Sequence, residues 1–288
     1  VFFFCKKRTK KTYALRGELF MNRHELKQAF IAGKVVYGTL VGSTSPKWAA
    51  EITKTGVDFV FIDSEHLPMN PETRGWMLRC YRAMGVAPIV RIPACTYQEA
   101  FHAVEHGAEG VIAPYVETVE EVKTLLAAVK YRPLKGERLR AVLDGSEVLA
   151  PEEQAYLDKY NDGNLVLLNI ESRAAVDNLE QLLLPGVDGV FIGPHDLSIN
   201  LGIPEQYDHP LFAQYVSRVI DICKARGVGM GNHSSWGIDA QIRWAQQGMG
   251  VILWNSDIGC FVGGISGAFA QARQALGQRR TEEINIHI

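Results

Sequence analysis

Cysteine is scarce and scattered. The five in this 288-residue chain, Cys5, Cys80, Cys95, Cys223 and Cys260, are odd in number and form no C-x-x-C pair. That speaks against a disulfide framework or a thiolate zinc site, and for a reducing compartment and hence a cytoplasmic location. Long apolar runs are missing too: no stretch approaches the ~20 residues needed to span a bilayer, so no membrane partner is expected. Charge of one sign is not in excess, and a net charge of −2 gives no general pull toward nucleic acid. No G-x-G-x-x-G follows the first apolar run and no Walker lysine occurs, which removes the chemistry of dinucleotide and P-loop sites.

What remains is an ordinary globular composition, 47% hydrophobic and 22% charged. Its apolar residues are grouped into eight short runs at 35–41, 59–62, 87–90, 110–113, 165–170, 187–192, 228–231 and 251–254. Runs this apolar suit strands buried on both faces. Helical segments are predicted between them at 46–54, 71–84, 97–106, 119–130, 173–183, 210–226 and 237–247. Eight strands alternating with helices predict an α/β fold, a single (β/α)8 barrel over residues 21–288. Residues 1–20 put Val1-Phe2-Phe3-Phe4 before a basic stretch, the reverse of a secretory signal. They read as an extension ahead of Met21 or a poorly ordered arm, with an RNA- or membrane-binding tail as the rival. The longest interruption, 132–163, reads as a strand-to-helix connection forming a specificity lid at the mouth, or as surface decoration. In 263–276, Ile265, Phe269, Ala272 and Leu276 share one helical face. That segment is either the eighth outer helix of its own barrel or a helix exchanged with a neighbouring subunit.

Charged residues gather where the runs end, which in such a barrel is where an active site sits. Asp63-Ser64-Glu65-His66 follows the second run, Arg91 the third, Glu171 the fifth and Gly193-Pro194-His195-Asp196 the sixth. Glu171 and Asp196 end successive strands, and two converging carboxylates suit a hard cation with room for a chelating 2-oxo acid. The competing reading pairs Glu171 with Arg173 and makes Asp196 a helix cap. Arg91 can hold a developing enolate oxygen in its fork, or form a structural ion pair with Asp63 or Glu65. His66 can move a proton near neutral pH; His102, His106, His209 and His233 are weaker candidates. No lysine lies within the eight runs and only Lys47 is near the mouth, so an imine route lacks its nucleophile.

Four stretches resemble the HpcH/HpaI family of pyruvate aldolases: Asp63-Ser64-Glu65-His66, Val90-Arg91, Ile170-Glu171-Ser172-Arg173, and the long Val187-Asp188-Gly189-Val190-Phe191-Ile192-Gly193-Pro194-His195-Asp196-Leu197-Ser198. The resemblance runs from about residue 35 to residue 276. It implies a barrel of the phosphoenolpyruvate/pyruvate-binding type, usually a hexamer of dimers that exchange their last helix. It implies Glu171 and Asp196 as ligands of Mg²⁺, Mn²⁺ or Co²⁺, Arg91 as the enolate clamp and His66 as the catalytic histidine. Glu105, ahead of Gly107, stands where a neighbouring subunit supplies the histidine's acidic partner. Asn169, His195 and Asp196 would contact substrate, the backbone around the last two receiving a carboxylate. Asn169 stands where the family commonly has glutamine, Ser64 replaces a usual glycine and Leu40 falls at an aromatic position. The R-G-x-G stretch is not clear in Lys135-Gly136-Glu137-Arg138. The expected activity is a metal-dependent class II aldolase, reversibly cleaving a 4-hydroxy-2-oxo acid to pyruvate and an aldehyde. The alternatives are a decarboxylase or carbon–carbon bond-forming synthase on the same enolate, and a non-catalytic barrel that binds a 2-oxo acid.

Overall fold

Val60, Ile62, Val90, Val166, Leu168 and Val190 lie under helices, whereas Phe59, Phe61, Ile89, Leu167, Phe191 and Leu253 point the other way and meet one another. Side chains alternate across a strand, so this division gives each strand one face toward a helical layer and one toward a shared interior. The computed structural model describes residue 21, residues 23–233 and residues 237–278. Its strands are β1 (Val36–Leu40), β2 (Phe59–Asp63), β3 (Ala87–Arg91), β4 (Gly110–Ala113), β5 (Leu165–Ile170), β6 (Gly189–Ile192), β7 (Gly229–Asn232) and β8 (Val251–Ser256). All pairs are parallel, in the order β7-β6-β5-β4-β3-β2-β1-β8. Between β7 and β8 the Gly250 N–H donates to the Met230 carbonyl at 2.9 Å. The architecture is the expected (β/α)8 barrel, nearly closed. The proposed arm at 1–20 lies outside the described residues, as does 279–288.

Helices cover the outside where the periodicity put them: Pro46–Ile52, Pro71–Ala83, Tyr97–His106, Val119–Val129, Pro210–Arg226 and Ile238–Gln246. Caps fix their starts. Asn70, Thr96 and Thr118 each accept from a backbone N–H in the first turn, and Thr118 with Glu121 forms a capping box. The helix expected at 173–183 is two pieces, Arg173–Asp177 and Leu179–Leu182, broken at Asn178.

A further helix, Arg23–Ile31, closes the amino-terminal end of the barrel. Leu26, Ala29 and Phe30 belong to the interior cluster, and the Phe30 ring stacks on Phe191 with centroids 6.0 Å apart. Two strands make room for it with glycine. A Cβ at Gly189 would sit 1.9 Å from the Phe30 ring, and one at Gly229 would sit 2.2 Å from the ring and 2.7 Å from the Phe30 carbonyl oxygen.

Two expectations are corrected. Segment 132–163 is not a strand-to-helix connection at the mouth. That role falls to the short 114–118, whereas 132–163 leaves from the far end of helix Val119–Val129 and leads back into β5. It folds into helices Gly136–Asp144 and Pro151–Tyr160, the first tied to the outside of its predecessor by Lys123–Asp144 at 3.1 Å. The Asn161 amide then donates to the carbonyls of Lys130 and Arg132 at 2.7 and 2.8 Å, joining the exit of the insertion to its entry.

The last helix, Asp257–Ala275, is not an eighth outer helix of its own barrel. Asp257 anchors its start, accepting from the N–H groups of Gly42 and Ser43 at 3.0 and 2.9 Å, and is the helix's one buried residue. From there the helix leaves the barrel with Ile258, Phe261, Val262, Ile265 and Phe269 exposed. The outer face of β1 and β8 is left bare, with Tyr37 52% and Trp254 41% exposed. A groove of about 550 Å³ runs there between Tyr37, Trp48, Ile252, Trp254 and Phe261. No helix among the described residues is long and apolar enough to cross a membrane.

Candidate active site

Asp63 and Arg91 are register partners at the carboxyl ends of β2 and β3, so both enter the interior side by side. Arg91 Nε donates to Asp63 Oδ1 at 2.9 Å and Nη2 to Oδ2 at 2.5 Å, a bidentate fork between two buried groups. Asp63 Oδ1 also accepts from the Glu65 N–H at 3.0 Å, folding the chain back so that Glu65 and His66 join the cluster. Arg91 Nε lies 3.1 Å from Glu65 Oε2, and Nη2 lies 2.7 Å from His66 Nδ1. Burial alone would lift the Asp63 carboxyl, but the bonds and charge of Arg91 outweigh it and hold Asp63 below the usual carboxylate range. The structural pairing weighed for Arg91 is therefore present, and it presents the guanidinium to the mouth in a fixed plane.

His66 Nδ1 has two competing neighbours, the donor Arg91 Nη2 at 2.7 Å and the acceptor Asp63 Oδ2 at 3.2 Å. Arginine can only donate, so contact with Arg91 puts the proton on Nε2, whereas contact with Asp63 leaves Nε2 free to take one. The side chain is 62% exposed, facing the mouth. Ligand atoms of Asp63, Glu65 and His66 lie within 4.8 Å of one another. The guanidinium already holds that acidic group, so a cation there would have to displace Arg91.

Glu171, the first residue after β5, is buried. Its Oε2 accepts from the Tyr115 N–H at 3.0 Å, and Tyr115 takes a left-handed backbone, φ 49°, as it presents that N–H. Gly193 gives the carboxylate its space: a Cβ there would stand 2.1 Å from Glu171 Oε1. Burial pushes the Glu171 pKa up to about 7, the Asp196 charge adds to the rise, and Arg91 only partly opposes it.

Asp196 does not end a strand. It is the third residue of helix Pro194–Asn200, half-exposed at 49%, and Gly193 holds the cap position, so the capping alternative is set aside. No ion pair joins Glu171 to Arg173 among the described residues, and the Arg173 N–H instead donates to Asn200 Oδ1 at 2.9 Å. His195 is exposed beside Asp196, its Nδ1 3.9 Å from Asp196 Oδ1 and its Nε2 3.7 Å from Glu205 Oε1.

Asn169 is fully buried one layer beneath Glu171, its Oδ1 2.5 Å from His233 Nε2. His233, a lesser candidate in the sequence, thus lies inside the barrel against the rings of Phe61 and Phe191. His209 caps helix Pro210–Arg226, and His102 and His106 stack on one helix, 6.0 Å apart. Glu105, on the same helix as His102 and His106, is ion-paired to Arg132 and is not brought to His66 within this chain. Tyr115 and Gly193 shape the surroundings of Glu171, and the sequence reading gave neither a role of its own. No motif marks Tyr115, whereas Gly193 stood inside the long matching stretch.

A family model for HpcH/HpaI aldolase/citrate lyase matches residues 37–262. The 2-keto-3-deoxy-L-rhamnonate aldolase of Escherichia coli (strain K12) is 29% identical over 206 residues, covering 71% of this chain and 77% of that protein. The 2-dehydro-3,6-dideoxy-6-sulfogluconate aldolase of Pseudomonas putida is 32% identical over 195 residues, covering 67% and 76%. Among solved structures, an HpcH/HpaI aldolase/citrate lyase family protein from Burkholderia cenocepacia J2315 superposes with a TM-score of 0.74 at 25% identity, over 87% of this chain and 99% of that one. Citrate synthase SbnG gives 0.73 at 26% identity, over 88% and 99%.

Proposed function

The chain belongs to the HpcH/HpaI aldolase/citrate lyase family, and from that premise we propose that it is a divalent-metal-dependent class II aldolase, reversibly cleaving a 4-hydroxy-2-oxo acid to pyruvate and an aldehyde. The observation that carries the reading is geometric: the buried Glu171 carboxylate, held by the Tyr115 N–H at the end of β5 in the space that Gly193 leaves, with Asp196 and the Arg91 guanidinium as its charged neighbours. An all-oxygen pair of this kind suits a hard cation such as Mg²⁺, Mn²⁺ or Co²⁺. Glu171 and Asp196 would hold it, and when bound it supplies Lewis acidity toward the 2-oxo acid.

The chain's own residues account for the proton and charge movements. His66, with Nδ1–H turned to Asp63, takes the C4 hydroxyl proton on Nε2. The C3–C4 bond breaks and its electron pair passes to the 2-oxo oxygen, leaving an enolate beside the positive charge of the Arg91 guanidinium. Water then protonates C3 to give pyruvate, and His66 returns its proton to the resulting hydroxide, so the cycle closes without net proton change. The relatives' names support a carbon–carbon lyase. The likeness to a citrate synthase favours one alternative, a bond-forming synthase using the same enolate. Turnover of hydroxy-oxo acids against oxaloacetate would separate the alternatives.

The test is exchange of pyruvate methyl protons in D₂O, followed by proton NMR alongside aldol cleavage. Both should vanish in excess chelator and return with Mg²⁺, Mn²⁺ or Co²⁺. Glu171→Gln and Asp196→Asn should mimic chelation. Full activity in metal-stripped protein would sink the mechanism. The aldehyde can then be sought among succinic semialdehyde, tartronate semialdehyde, glyceraldehyde and lactaldehyde.

Oligomerisation belongs to the same proposal. The exposed apolar helix Asp257–Ala275 and the bare groove over β1 and β8 support exchange of that helix between two copies, in a dimer or hexamer. Glu105 could then act as His66's partner only from a neighbouring chain.

A further inference from the structure

Beneath the charged cluster the barrel interior holds one more polar pair. Asn169 and Glu171 share a face of the fifth strand and its extension, two residues apart, so the carboxamide lies about 6–7 Å deeper than the carboxylate. Phe61 is likewise two residues below Asp63, and Phe191 two below Gly193. His233 packs edge-on to Phe61, ring centroids 5.1 Å apart, and lies 5.6 Å from Phe191. Phe61 in turn carries the Arg91 guanidinium, 5.6 Å from its ring centre. Asn169, His233, Phe61 and Phe191 are therefore the floor on which Arg91, Asp63 and Glu171 stand.

In that floor the Asn169 oxygen is turned to His233 Nε2 at 2.5 Å. An amide oxygen can only accept, so Nε2 carries the proton and the imidazole is the donor. The Asn169 Nδ2, fully buried, finds no partner among the described residues. An unsatisfied buried donor carries its desolvation cost until an acceptor arrives, and aromatic rings offer none. We infer that His233 is a positioning residue: its Nε2–H fixes the Asn169 carboxamide so that Nδ2 is presented to an oxygen of the 2-oxo acid bound above it. Nothing in the chemistry of the amide alone selects this orientation, because a free carboxamide could turn its oxygen to the anion and repel it. Burial, and then the nearby positive charge of Arg91, push the His233 pKa down to about 3, which keeps the ring neutral and in its single-donor form.

The inference rests on the aldolase reading and has its own test. His233→Phe keeps a ring among rings and deletes the donor. With Mg²⁺ present, the KM for pyruvate in aldol synthesis should rise ~10–100-fold, the worth of one hydrogen bond to a charged group, while kcat falls less and the melting temperature drops by several degrees without loss of the fold, the cost of leaving the Asn169 oxygen unpaired. His233→Gln, whose amide can donate to the same oxygen, should recover part of the loss. The double variant His233→Phe/Asn169→Ala should bind pyruvate no worse than Asn169→Ala alone, since both act through one group. A folded His233→Phe enzyme with the wild-type KM, or losses that simply add, would overturn the positioning role. A wild-type protein that neither binds pyruvate with Mg²⁺ nor exchanges its methyl protons would instead overturn the aldolase reading beneath it.

Discussion

A guanidinium has five donors and no acceptor, so every atom that bonds to Arg91 must accept from it: both oxygens of Asp63, Glu65 Oε2 and, only when its Nδ1 carries no proton, His66. Lysine cannot reproduce this planar arrangement. Arg91→Ala should therefore abolish both aldol turnover and exchange of pyruvate methyl protons, and Arg91→Lys should remain badly impaired. His66 stands on the exposed side, and in the proposed mechanism it serves the C4 hydroxyl, so His66→Ala should cut aldol turnover by ~10²–10⁴ and spare much of the exchange. Methyl-signal loss by proton NMR beside a coupled pyruvate assay measures the two rates. Wild-type exchange in Arg91→Ala would remove the central assignment. At this scale the sequence was legible wherever a residue's role follows from its place along a strand. Asp63, Arg91 and Glu171 face inward because alternation sends them there. Asp196 was misjudged by one element, since Pro194 starts a helix at once. Tyr115 was illegible, because nothing in the letters states that its backbone turns left-handed to aim an N–H at Glu171.

The elements follow the same logic. Strands were readable because their apolar runs are continuous and bounded, and the helices between them begin at Pro, Asn or Thr caps. Helix Arg23–Ile31 was not read, because only Leu26, Ala29 and Phe30 of its nine residues are buried, too few to set a period. Its site is nevertheless written in two glycines far along the chain. A Cβ at Gly229 meets both the Phe30 ring and its carbonyl oxygen, so the helix itself, and not one rotatable ring, would have to move. Gly229→Ala should accordingly cost about 1–3 kcal/mol, the usual penalty of forced overpacking, seen as a lower urea midpoint. An unchanged midpoint would show that the helix is not held against this floor. The insertion 132–163 was placed at the wrong end because its length invited a functional reading, whereas its position after a helix rather than after a strand fixes which face it leaves from.

For the whole molecule, the bare outer face of β1 and β8 is a defect that a lone barrel does not repair. The other six strands have helices over them, while Tyr37, Ile252 and Trp254 line an open groove and a 19-residue helix, beyond Phe261 at the groove's edge, leaves with its apolar side chains exposed. A single chain gains nothing from this arrangement, because groove and helix would both be covered if the helix folded back. Asp257, held by two backbone N–H groups of the first strand's loop, fixes the direction in which the helix leaves. In the proposed exchange a second copy would resolve both exposures at once, each helix lying in the other's groove about a two-fold axis. Light scattering should therefore give a dimer or a hexamer. Ile265→Glu with Phe269→Glu, charging the helix without touching the barrel, should shift the protein toward monomer. If a neighbour supplies Glu105, aldol turnover should fall with dissociation, while pyruvate exchange, assigned in the proposed mechanism to Arg91, Glu171 and Asp196 of one chain, should persist. A wild-type protein that is monomeric and fully active would dismiss the shared site and leave Glu105 as no more than the partner of Arg132.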